Sequence, residues 1–149
     1  MVDLWSDARV SPMTADDAET VATWRYGGPW AVYELPSAQP LLDDLADYYS
    51  VTSGQVLIGF FCTGAAARVP GMVEDPTVVD VGLGLHPDHV GRRRGALFAR
   101  IVLKHLSEVH PGRPLRAVVQ AWNRRSLRLT HQLGFVDIGE MTTVQNGKP

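Results

Sequence analysis

Between Val90 and Gly95 two glycines bracket three successive arginines, Arg92, Arg93 and Arg94. Glycine lets a loop turn its peptide N–H groups toward one point, and guanidinium groups neutralise phosphate oxygens through paired N–H donors. The spacing suits a phosphate or pyrophosphate, with the backbone of residues 91–96 supplying N–H groups. The flanking elements must position that loop. Val79, Val81, Leu83 and Leu85 recur at every second residue of 78–85, which predicts a strand that Pro87 stops. A helix is predicted over 94–109, with Leu97, Ile101 and Leu103 as core candidates. Strand, loop and helix in that order aim the helix's unpaired N–H groups and the positive end of its dipole at the loop. An ordinary strand–helix connection with a solvated basic cap fits the same pattern.

The charge is segregated. Residues 1–88 hold 13 acids against Arg9, Arg25 and Arg68, a net of −10, whereas residues 89–136 hold nine arginines and Lys104 against Glu108, a net of +9. The last 13 residues carry Asp137, Glu140 and Lys148, and the whole chain comes to −2. Near-neutrality thus hides a basic segment that begins at the candidate phosphate loop, which favours a polyanionic ligand. Surface pairing between the two halves would explain it as well, at little energetic consequence. A nucleic-acid binder is a further reading, but the acidic half and the lack of an extended basic–aromatic pattern argue against it.

A chain of 149 residues, 45% apolar and 20% charged, fits a single domain over 1–149 with a real core. Cys62 is the only cysteine, so an intrachain disulfide and a cysteine metal cage are excluded; its apolar neighbours predict a buried strand residue. The uncharged stretch 54–67 around it is too short to span a bilayer, and the first ten residues lack the basic and apolar regions of a signal peptide. A cytoplasmic location and no membrane partner are the expectation.

Strands and helices alternate along the chain. A first strand is predicted at 8–13, followed by a helix that Thr14 caps with Asp17 three residues on and that the Gly-Gly-Pro of 27–29 ends. A second helix is predicted at 40–49, strands at 50–52 and 55–63 about Ser53-Gly54, and a loop at 64–77. After the central unit a turn at 111–114 leads into a strand at 115–122; Asn123 caps a helix to Leu133, Gly134 ends it, and a last strand covers 135–145. The order implies an α/β or α+β domain with a mixed sheet.

This order of parts resembles the GNAT superfamily of acyl-CoA-dependent N-acetyltransferases. The resemblance rests on HPDHVGRRRGAL, where that family has a [Q/R]-x-x-G-x-[G/A] pyrophosphate loop, and on AWNRRSLRLTHQLGF, similar to its N-x-x-[A/S]-x-x-L-Y-x-x-x-G-F segment. Asn123, Ser126, Leu129, Gly134 and Phe135 fall in register. The loop is degraded, with Val90 at the Gln/Arg position and Arg93 at the first motif glycine, while Gly91 and Gly95 are in place. Arg93 is expected either to point outward with φ below zero or to lend its charge to phosphates.

The resemblance implies a single α+β domain with a mixed, mostly antiparallel sheet, two splayed central parallel strands and flanking helices. It implies acetyl-CoA as cofactor, its pantetheine arm along Leu83, Gly84 and Leu85, its pyrophosphate at Val90, Gly91, Arg92, Arg93, Arg94, Gly95 and Ala96, and contacts from Asn123 and Ser126. A backbone N–H near Leu85 would stabilise the oxyanion as an amine attacks the thioester directly. The family's acidic tyrosine corresponds to Thr130, a far weaker acid. Asp80 and His86 are the candidate bases. His86 and His89 lack a third metal ligand, so no metal site is expected. The acceptor, a small-molecule or peptide amine, would meet Trp24, Tyr26, Trp30, Tyr33 and Glu34, whose aromatic faces and carboxylate suit a cation. An acyl-CoA-binding module without catalysis is the alternative. Members of the family usually add one more strand after the one predicted here, so the edge at 139–145, before the Asn146-Gly147 turn signal, is expected to be bare, covered by a loop or paired by a second chain in a homodimer, with a frayed tail on a monomer as the plain alternative.

Overall fold

The sheet grows by antiparallel pairing and then reverses direction once. In the computed structural model, which describes residues 4–139, β1 (Arg9–Pro12), β2 (Tyr48–Ser53), β3 (Val56–Thr63) and β4 (Val79–Leu85) pair antiparallel in that order. β5 (Leu115–Arg116) joins β4 in parallel. The helices are α1 (Ala15–Ala22), α2 (Gln39–Asp43), α3 (Gly95–Val109) and α4 (Arg124–Gln132). This is the mixed, mostly antiparallel α+β architecture that the sequence implies.

Local chemistry starts the helices where the sequence predicts. The Thr14 hydroxyl accepts from the Asp17 N–H at 3.0 Å, and the Asp17 carboxylate accepts from the Thr14 N–H at 3.1 Å. Each satisfies a donor that the first turn leaves unpaired. At α4, Asn123 Oδ1 accepts from the Ser126 N–H at 3.2 Å. Helix ends follow the sequence less closely. α1 stops at Ala22, and a 3₁₀ turn (Gly28–Tyr33) occupies the region of the glycines. α2 is shorter than the predicted 40–49, because Tyr48 and Tyr49 open β2 opposite Cys62 and Phe61. The Tyr49 and Phe61 rings stack at 5.0 Å, so cross-strand pairing outweighs helix propensity there. The predicted loop 64–77 contains another 3₁₀ turn (Gly64–Ala67).

A register slip between Val51 and Thr52 places Ile58 as an extra residue in β3. A bulge of this kind reverses which face later residues take. Leu57 and Phe60 pack with α1 and α2 around Val21, Trp24 and Leu41, whereas Ile58 and Phe61 pack with α3 around Phe98, Val102 and Leu106. The sheet is therefore covered on both faces.

The predicted strand 115–122 pairs with β4 only at Leu115 and Arg116, opposite Val79 and Asp80. Residues 135–139 form no strand, and the rest of the predicted 135–145 strand, with its proposed dimer edge and the Asn146-Gly147 turn, lies outside the described residues. Among the described residues no helix is long and apolar enough to cross a membrane.

Candidate functional site

Beyond Asp80 and Arg116, no strand of the described residues pairs with β4 on its β5 side, which leaves a gap in the parallel pairing. The His86 N–H donates to the Ile58 carbonyl at 2.9 Å, on the β3 side. Strand alternation then turns the N–H and C=O groups of Leu83 and Leu85 the other way, into the gap. Leu83, Val118 and Trp122 are exposed. Gly84 is a glycine for a different reason: a Cβ at this position would overlap the Phe60 ring.

The gap leads to the arginine loop. A 3₁₀ turn (Pro87–His89) follows β4, and Gly91 then takes φ +77° and Arg93 φ +61°. Arg93 therefore adopts the left-handed conformation of the glycine it replaces, which costs an L-residue about 1–2 kcal/mol; the alternative expectation, an outward Arg93 with φ below zero, is not found. Alternating backbone of this kind turns successive N–H groups toward one concavity. Arg92 and Arg93 are exposed, and Arg94 is engaged with His89 Nδ1 at 2.6 Å. Burial and the Arg94 charge lower the pKa of His89, so its ring is neutral. Gly95 and Ala96 open α3, and a Cβ on Gly95 would meet Leu129 of α4 at 3.4 Å. Val90 N–H is used within the turn, bonding to the Pro87 carbonyl.

Sequence reasoning missed one basic group. The Arg125 guanidinium lies where a Cβ on Gly91 would meet it at 3.5 Å, and 4.6 Å over the Trp30 ring. Trp30 and Tyr33 in turn pack against Trp122, at 6.1 and 5.9 Å between centroids, and Asn123 Nδ2 donates to the Tyr33 hydroxyl at 3.1 Å. The two stretches that carry the family resemblance thus meet through Arg125 and Gly91, and the aromatic loop folds over them.

The other end of the aromatic loop reaches β4. The Tyr26 hydroxyl donates to the Leu85 carbonyl at 2.9 Å, so it sits in the gap. Burial and then the Glu34 charge push its pKa up to about 12, which keeps it a neutral donor. Trp24 does not line the gap: it is buried against Phe60 and edge-on to His86, and it belongs to the core beneath the site. Glu34 Oε2 accepts from the N–H groups of Tyr26 and Gly27 at 2.8 and 3.0 Å. Those bonds lower its pKa and commit the carboxylate to shaping the loop rather than to holding an amine.

Both candidate bases are otherwise engaged. Asp80 is only 2% exposed, with Arg116 Nε at 2.6 Å and Arg68 at 3.0 Å. Burial raises its pKa, but the hydrogen bonds from Arg116 and Arg68 outweigh that and the net direction is down. A carboxylate so held is a poor proton acceptor, which counts against Asp80 as the base. His86 Nδ1 accepts from the Asp88 N–H at 3.0 Å. That bond occupies the Nδ1 lone pair, which counts against His86 as a base through that atom. Thr130 Oγ1 donates to the Leu127 carbonyl of its own helix at 3.0 Å, and His131 pairs with Asp137 on the exposed side. Cys62 is buried, which pushes its thiol up to about 12 and removes it as a nucleophile.

No family model and no curated protein matches the chain by sequence. Solved structures do match it. A GNAT-family acetyltransferase from Bacillus anthracis superposes with a TM-score of 0.66 at 13% identity, over 89% of this chain and 81% of its own. The chain has the GNAT fold. A Vibrio cholerae spermidine N-acetyltransferase chimera gives 0.65 at 17% identity, over 96% of this chain and 90% of its own. A Salmonella typhimurium protein described as an acetyltransferase and solved with its cofactor acetyl-CoA gives 0.62 at 17%, over 94% and 87%. The residues present in this GNAT fold suit a coenzyme A: an outward strand edge for its amides, and a glycine-opened, arginine-rich loop for its phosphates.

Proposed function

We propose that this chain is an acetyl-CoA-dependent N-acetyltransferase that acts on a primary amine of a small molecule or peptide by direct transfer. One observation carries the reading: the edge of β4 at Leu83 and Leu85 faces a gap that opens onto the left-handed loop at Gly91 and Arg93. When bound, acetyl-CoA supplies an activated thioester. Leu83 and Leu85 hold its amides as a strand would, and the loop N–H groups with Arg92 and Arg93 hold its phosphates. The Leu85 N–H lies on that edge and supplies a donor to a developing oxyanion, while the Tyr26 hydroxyl, its proton given to the Leu85 carbonyl, anchors the aromatic loop beside it. Since Asp80 and His86 are engaged elsewhere, the attacking amine loses its proton to water. Thiol is a good leaving group, so the reaction proceeds with Thr130 in place of an acidic side chain.

The test is thermal unfolding with and without acetyl-CoA, followed by thiol release with a panel of amines. Acetyl-CoA raises Tm by mass action, and Gly95→Asp, which sets a carboxylate at the phosphate loop, removes the rise. An unchanged Tm at millimolar acetyl-CoA would overturn the reading. The Thr130 hydroxyl, spent on its own helix, favours the second reading, a binding module without catalysis. That reading gives the Tm rise without thiol release from any amine.

A further inference from the structure

We infer that Arg125 is a phosphate-binding residue of the cofactor site and that Trp30 positions it, which ties the aromatic loop to the phosphate loop; the inference rests on the acetyl-CoA reading above. Three observations carry it. First, the Arg125 guanidinium lies beside Gly91, where a Cβ would already touch it at 3.5 Å. A side chain at residue 91 would occupy the space between Arg125 and the loop. Second, the guanidinium carbon lies 4.6 Å over the centroid of the Trp30 ring. A cation–π contact of this kind fixes the position of the group without using its N–H donors. Third, the charges are placed against the local rule. The first turns of α3 and α4 carry no acid, and arginines 92–94, 124 and 125 gather at these two N-termini. Cations beside the positive end of a helix dipole repel it, and a bound anion at the junction removes that conflict.

Trp30 is itself braced by Trp122, and Tyr33 by Trp122 and Asn123. The aromatic loop therefore rests on the same first turn of α4 that supplies Arg125. Phosphate binding and the position of this loop are coupled through a single side chain.

The experiment is calorimetric titration of CoA, which lacks the acyl group and cannot turn over, into the unaltered protein and into Arg125→Ala, Arg125→Lys, Trp30→Leu and Trp30→Phe. Charge-assisted hydrogen bonds predict a loss of about ten- to a hundredfold in affinity for Arg125→Ala. Arg125→Lys gives a similar loss, since an ammonium has neither the stacking face nor the fork. Trp30→Leu weakens binding severalfold although it removes no phosphate contact, and Trp30→Phe restores it. Dephospho-CoA, which lacks the 3′-phosphate, separates the sources. If the Arg125→Ala deficit persists with it, the pyrophosphate is the partner; if the deficit vanishes, the 3′-phosphate is; either outcome supports the assignment. Arg125 is exposed, so its variants keep the fold and decide the matter even if Trp30→Leu does not fold. Affinity within twofold of the unaltered protein in Arg125→Ala overturns the inference and leaves the cofactor reading standing. Failure of the unaltered protein to bind CoA removes both.

Discussion

The Tyr26 hydroxyl donates to the Leu85 carbonyl at 2.9 Å, joining residues 59 apart in the chain. That bond spends the phenol proton on β4 and anchors the aromatic loop beside the backbone N–H proposed for the oxyanion. Tyr26→Phe keeps the ring and removes the anchor. We expect stability to fall by about 1 kcal/mol, with kcat and CoA affinity within a few-fold of the unaltered protein. Denaturant unfolding and turnover on one preparation check this; a tenfold loss of kcat with stability unchanged would give the hydroxyl a role beyond loop anchoring.

Thr130 uses its proton within α4, so its loss costs little. Thr130→Ala should turn over within a few-fold of the unaltered protein, and Thr130→Tyr should equal or exceed it, because a phenol protonates a thiolate better than an alkyl hydroxyl. Steady-state thiol release decides. A Thr130→Ala variant that binds CoA but is inactive would mean that the threonine acts directly.

Asp80 joins β4 to Arg116 of β5 and to Arg68, and thereby holds the closed end of the gap. Asp80→Asn should cost about 3 kcal/mol at pH 7 and, once folded, leave kcat within a few-fold. The folded pKa lies below the unfolded value of about 3.9. The stabilisation is therefore complete above about pH 4 and is lost as pH falls through the folded pKa. The difference between the urea midpoints of the two proteins should shrink as pH falls below about 4; a difference that stays constant as pH falls from 7 into the acid range would contradict the ion-pair account.

Phe60 occupies the space above Gly84 and is hemmed in by Trp24 and Tyr48, each 6.0 Å away between centroids. Gly84→Ala therefore overpacks this layer and should cost about 1–3 kcal/mol. Phe60→Leu in the same chain should recover part of that loss, so the pair departs from additivity. Denaturant unfolding of the two single variants and the double variant measures the coupling. Simple additivity would place the strain elsewhere.

What the sequence determined by itself is local. The Thr14–Asp17 box, the Asn123 cap and the strand–loop–helix around Gly91 and Gly95 depend on residues a few positions apart, whose hydrogen bonds close within one turn. The same spacing identified the glycines of the candidate phosphate loop and the two stretches that resemble the GNAT superfamily. Pairs brought together by the sheet were decided only in three dimensions. Nothing in the spacing of Asp80 says that Arg68 and Arg116 will take its charge, or that Arg125 will cross to Gly91. The left-handed Arg93 could not be read from its type, since its backbone follows the loop rather than its own preference. Tyr48 and Tyr49 left the predicted helix because their partners lie in β3. Local hydrogen bonding is written in intervals of three or four residues, whereas burial, ion pairing and ring stacking depend on which distant segments the packed sheet makes neighbours.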